Sequence, residues 1–274
     1  MRHIAYNTSR YLLILIGAAI LATPLLYMVS GSLKSATEVS QYPQPLLPST
    51  PIWSNFAAAW NFLTAQVIGN SFIFALGIVG LQLLISLPAA FALAKIPFKW
   101  TAVILGALIV PNFVPGNLTI IPLFIVTFQL GWLNSFAGMI IPMAAQCAFA
   151  VLLFRQFFVT LPVGLIEAAR IDGASWPRVL WSIGLPLAKP ALATFCSISF
   201  LTAWNMYIWP LLVAPDPAHK VLNVALAPLA QAENSQISPA VGLAGAVIAM
   251  VPVLIVFIVF QKWYVKGVAG TGLE

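Results

Sequence analysis

Charge is scarce in this sequence: 7% of its 274 residues are Asp, Glu, Lys or Arg, against about 25% in an average soluble domain. A water-soluble fold could not cover its surface with so few. The 61% of hydrophobic residues and the mean hydropathy of +1.00 point instead to a chain that lives in a bilayer. Cysteine is nearly absent too. Cys147 and Cys196 lie inside apolar runs, without metal-ligand spacing and with no histidine nearby, so they support neither a zinc site nor a disulfide framework and read as small buried hydrophobes. A net charge of +6 does not make a nucleic-acid surface here, because the basic residues stand at the ends of apolar runs rather than in one patch.

What is abundant is apolar sequence in long stretches. Six runs are long enough to cross a hydrocarbon core of roughly 30 Å as helices: about 11–29, 69–94, 101–127, 136–154, 191–213 and 241–260. We expect an all-α membrane protein of six transmembrane helices forming one domain over 1–274. The first run exceeds the apolar core of a signal peptide and no small-residue cleavage site follows it, which favours a retained helix. Pro111, Pro115 and Pro122 interrupt the third run, where each removes a backbone hydrogen bond that lipid cannot replace, so a kink packed against protein is expected.

Lys and Arg orient the runs. With the N-terminus inside, the cytoplasmic face holds Arg2, Arg10, Lys95, Lys99, Arg155, Arg170, Arg178, Lys189, Lys262 and Lys266, and only Lys34 and Lys220 lie outside. Under the positive-inside rule both termini are cytoplasmic. Trp53, Trp60, Trp132 and Trp209 near the outer ends suit an interfacial aromatic belt.

Further absences bear on energy and chemistry. No Asp, Glu, Lys, Arg or His falls within the six runs, so the intramembrane relay expected of a proton-coupled carrier is missing. No G-x-x-x-x-G-K-[ST] phosphate cradle occurs either; uphill transport would draw its energy from a partner. Paired carboxylates, a histidine cluster and a nucleophile with its base are lacking at membrane depth, which speaks against a membrane-embedded enzyme.

One cytoplasmic link is much longer than the rest, 155–190, with Glu167, Arg170, Asp172, Arg178 and Lys189. Thr160 is a candidate N-cap with Pro162 in the first turn; Leu165, Ala168, Ala169 and Asp172 share one side of the helix that follows, and Gly173 stops it. A second short helix can start at Ser175 with Pro177 in its first turn, run to Ile183 and halt before Pro186. Ala168, Ala169 and Gly173 form a low-relief patch that another protein's backbone could approach, and Glu167 offers a carboxylate to a cationic or hydroxyl partner. A helix lying on lipid accounts for the same residues equally well.

Glu167-Ala168-Ala169, Asp172-Gly173-Ala174 and Ile183-Gly184-Leu185-Pro186, set between the fourth and fifth of six runs, resemble the EAA loop of the membrane subunits of binding-protein-dependent ABC importers. Asn70-Ser71, Leu130-Gly131-Trp132-Leu133-Asn134, Leu153-Phe154-Arg155-Gln156-Phe157-Phe158 and Tyr264-Val265-Lys266-Gly267 are similar to the carbohydrate-uptake subfamily, and above all to the shorter permease of maltose-type and glycerol-3-phosphate-type systems. After Trp204-Asn205 that group often has an acidic residue where this chain has Met206.

The resemblance implies a type I importer permease of the prokaryotic inner membrane. Its implied partners are a homologous second permease, two cytoplasmic ATPases that bind the ATP and an extracytoplasmic binding protein delivering a sugar or sugar-phosphate. The chain itself would need no cofactor. In that family Glu167, Ala168, Ala169, Asp172, Gly173 and Ala174 fall in the coupling helices that enter a groove of the ATPase. An ATP-independent facilitator or channel is the competing class, and the long folded inner loop, which a passive pore does not need, speaks against it.

Polar residues within the runs mark a candidate solute path. Unpartnered amides and hydroxyls are costly in apolar surroundings, so they should face the bundle or a wet cavity. Asn117, and Trp204, Asn205 and Tyr207 in the fifth run, combine amides for hydroxyl groups with aromatic faces that stack on sugar rings.

Overall fold

The structure, a computed structural model, describes residues 2–230 and 237–269, with side chains described for 10–229 and 237–262. The side chains of Arg2 and of Tyr264 to Gly267 lie outside the described residues.

All regular structure among the described residues is helical. The order is α1 (Arg2–Ser32), α2 (Ala36–Ser40), α3 (Ser54–Lys95), α4 (Thr101–Ile109) with a 3-10 turn (Val110–Phe113), α5 (Gly116–Gln129), α6 (Phe136–Ala145), α7 (Ala148–Val159) and α8 (Val163–Ile171). There follow α9 (Trp176–Val179), a π turn (Leu180–Gly184), α10 (Leu185–Leu187), α11 (Lys189–Trp204), α12 (Ile208–Val213), α13 (Leu222–Ala230) and α14 (Pro239–Ala269). Arg10–Ser32, Ser54–Lys95 and Pro239–Lys262 are each long and apolar enough to span a membrane. Three sharply bent helix pairs bring the number to six if each pair counts as one span.

The breaks have local causes. Between α4 and α5 the axis turns by 101°. Val114, which precedes Pro115, is extended at φ −88° and ψ 120°, as the clash between a proline ring and the residue before it demands. The expected kink is therefore a full break. The fifth run, expected to be continuous over 191–213, is interrupted at 205–207. Pro210 donates no hydrogen bond back to Met206 and its ring crowds that carbonyl.

The segment 155–190 departs from expectation in the same way. It does not stop before Pro186 but continues to Leu187, because a wide turn in which the Leu185 N–H donates to the Leu180 carbonyl accommodates the proline. Ala188 alone separates it from α11, at an angle of 80°.

The chain resolves into two compact units. One comprises Met1–Ala65 and Ala225–Val251, the other Gln66–Val224 and Pro252–Glu274. In the first, Gly31 lies under Leu243, and Gly242 sits so near the Leu229 carbonyl that a Cβ would fall 2.6 Å from it. The segment after α1 is pinned: Asn55 donates its amide to the carbonyls of Ser32 and Lys34, both at 2.9 Å, and buried Lys34 donates to the Pro45 carbonyl. In the second, Phe91, Phe154, Phe158, Ile166, Val179, Leu180 and Phe195 form a buried core that joins α3, α7, α8, α9 and α11. Lys95 closes one end of this core by donating to the Leu161 carbonyl at 2.7 Å, and Arg155 donates to the Leu93 carbonyl at 3.3 Å.

Candidate functional site

The segment between α7 and α11 begins with Leu161, buried in the core. Thr160 is not the N-cap: it ends α7, its hydroxyl donating to the Phe157 carbonyl at 2.7 Å, and Pro162 caps α8 instead. The buried face of α8 is Ile166 with half-buried Ala169, spaced three apart, while Leu165 is 44% exposed. Glu167, Ala168, Asp172 and Gly173 are consequently exposed, as is Ile171 at 86%. α8 ends as expected at Gly173. With φ at +81°, its N–H donates to Arg170 at 3.1 Å, while the Ala174 N–H reaches back to the Ala169 carbonyl at 2.9 Å, the paired bonds of a Schellman stop. Arg170 braces the turn by donating to the Ala174 carbonyl at 2.6 Å and stacking over Trp176 at 4.7 Å. Trp176 in turn meets the core edge of Phe91 at 6.3 Å. The result is a knuckle whose outer surface is two carboxylates, Glu167 and Asp172, with small residues and an apolar tip.

A second feature lies where the broken helices meet. A recess of about 460 Å³ has Asn117 at the start of α5, Gln146 at the end of α6, and Asn205, Met206 and Tyr207 between α11 and α12 on its wall. Recesses of about 540 and 190 Å³ share Gln146 with it. Half-helices that end against a cavity are a recurrent way for a membrane protein to present polar groups at depth. Trp204 does not join the wall. It is buried, stacked on Phe200 at 5.4 Å and tilted against Phe72 at 4.9 Å, and its carbonyl accepts from the Asn223 amide at 2.7 Å.

Residues 82–270 match the family described as binding-protein-dependent transport system inner membrane component. The chain belongs to this family. It is a permease subunit of a binding-protein-dependent ABC importer. The sn-glycerol-3-phosphate transport system permease protein UgpE of Rhizobium meliloti is 31% identical to it over 97% of this chain and 96% of its own length. UgpE of Agrobacterium fabrum is 30% identical over 95% of each chain. In three dimensions the permease resembles a bacterial ABC transporter involved in the import of the acidic polysaccharide alginate. The TM-score is 0.83 at 27% identity, covering 95% of this chain and 96% of that one.

Of the sequence-derived path residues, the fold of the permease brings Asn117, Asn205 and Tyr207 to one cavity and withholds Trp204. Gln146, at the centre of all three recesses, stood in the sequence as one polar residue among several. Only the break at Gln146 and Cys147, where Gln146 leaves helical geometry at φ −75° and ψ 55°, distinguishes it.

Proposed function

We propose that this permease couples ATP hydrolysis by cytoplasmic ATPase partners to import of a sugar-class solute. The solute would be handed over by an extracytoplasmic binding protein and would pass between this chain and a homologous second permease. The observation that carries the reading is the knuckle at 163–176: a buried Ile166 and a Schellman stop hold it rigid, while Glu167 stays exposed and makes no hydrogen bond or ion pair within the described residues. A helix adapted to lie on lipid would turn all its apolar residues outward along its length; here Ile166 is anchored in the core while Val163, Leu165 and Ile171 are exposed. The relatives named for sn-glycerol-3-phosphate and alginate support a carbohydrate-derived cargo. Both termini and the knuckle would face the cytoplasm, where ATP is held by the partner and this chain needs no cofactor.

Glu167→Lys tests the reading, because it reverses a charge that a docking groove would pair. In the assembled complex the variant should insert at normal abundance yet lose most ATPase co-purification, or lose solute-stimulated hydrolysis. Unchanged recovery and unchanged coupled hydrolysis would remove the docking assignment.

A further inference from the structure

The recess at the helix breaks contains uncommitted polar groups but no charge. Asn117, Gln146 and Tyr207 are exposed on its wall, and their side chains make no hydrogen bond within the described residues. Asn205 commits its amide nitrogen to the Leu201 carbonyl at 2.9 Å. Other polar groups on the recess walls are used up: Thr119 donates to the Gly116 carbonyl at 2.8 Å, Asn112 to the Leu108 carbonyl at 3.1 Å, and Ser199 to the Gln82 amide oxygen at 2.6 Å. Among the described residues, none lining the three recesses is Asp, Glu, Lys, Arg or His.

An anion in this space would meet no cationic side chain among the described residues that line it. The N-terminus of α5, beside Asn117, supplies only about half an elementary charge, less than a phosphate or a row of carboxylates requires. Hydroxyl groups, by contrast, need both donors and acceptors at close range, which a primary amide supplies together.

Resting on the permease assignment above, we propose that this half of the path handles an uncharged polyhydroxylated solute, with Gln146 as its principal contact and specificity-determining residue. Gln146 is the one uncommitted amide that reaches all three recesses, and it sits on the joint between α6 and α7. Bending at that joint would carry the amide with the solute.

The test uses the complete importer in proteoliposomes, with partner permease, ATPase and binding protein. Radiolabelled glycerol, glucose and maltose serve as neutral probes, and sn-glycerol 3-phosphate and glucuronate as anionic ones. We expect ATP-dependent uptake of at least one neutral probe and of neither anion. Gln146→Ala should raise the transport KM about tenfold, the loss of one hydrogen bond, with the maximal rate and ATPase recovery retained. Gln146→Glu and Gln146→Lys should agree within about threefold, since the sign of a charge is immaterial to a neutral solute. Uptake of an anionic probe, a Lys variant about tenfold better than Glu, or a KM unmoved in Gln146→Ala would each overturn the proposal while leaving ATP-driven import standing. Uptake that needs no ATP would remove the import reading instead, and a complex that hydrolyses ATP yet takes up no probe would remove both.

Discussion

Glu38 shows how one carboxylate can organise a surface segment. It closes a capping box on α2 with Ser35, and it also accepts from the Ser49 N–H at 3.0 Å and from the Ser49 hydroxyl. The Ser49 hydroxyl, followed by the backbone N–H groups of Ser35 and Ser49, lowers its pKa from an ordinary 4.5 to about 2. A depressed carboxylate contributes stability that is present in full above the unfolded value. That contribution fades as pH falls from about 4.5 toward 2. Limited proteolysis of residues 33–53 should therefore be faster in Glu38→Gln than in wild type at pH 7, and the two rates should converge as pH drops below 4. Equal rates at pH 7 would show that the carboxylate does not order the segment. Lys34, beside it, was legible only as an outer cation. Its burial under the Pro45 carbonyl, 5.7 Å from the Tyr27 ring centre, joins residues whose spacing follows no helical period and so left no trace in the sequence pattern.

At the scale of elements, stops were easier to read than bends. Gly173 was expected to end α8, and it does so through its positive φ rather than through crowding, since a Cβ there would meet nothing within 4 Å. Gly173→Ala should therefore lower stability by about 1–2 kcal/mol from backbone strain alone. Gly173→Asn, which tolerates the left-handed region, should recover part of it. Thermal unfolding of the purified complex measures both, and equal losses for Ala and Asn would point to a steric origin. The π turn at Leu180–Gly184 and the interruption at 205–207 were not legible. Each arises from how a proline's missing donor is absorbed, and the chain can widen or break a helix to do so. Hydrophobic periodicity does not distinguish these outcomes. Proline position told where continuity fails at Pro115, but Pro122, expected to interrupt the same run, stays inside α5.

For the whole molecule, composition and run length conveyed the membrane class and the helical content, while the meeting of three interrupted helices around one recess depended on contacts between distant residues. Orientation remains a statement about ten cations against two. Single cysteines at Tyr42, 97% exposed, and at exposed Ala218 should react with an impermeant maleimide in intact cells once Cys147 and Cys196 are replaced by alanine. A cysteine at Ser175 should react only after permeabilisation. The reverse pattern would invert the topology.

The single residue between α10 and α11 gives the second compact unit the form of a bell crank. Ala188, fully buried, stands at the corner, with the short arm 176–187 set at 80° to the long arm. α11 has 16 residues, which makes that arm about 24 Å long. A rotation of roughly 10° imposed at the short arm would therefore sweep the Asn205 end by about 4 Å. A push at the knuckle too small to disturb its own packing would change the width of the recess by more than the diameter of a water molecule.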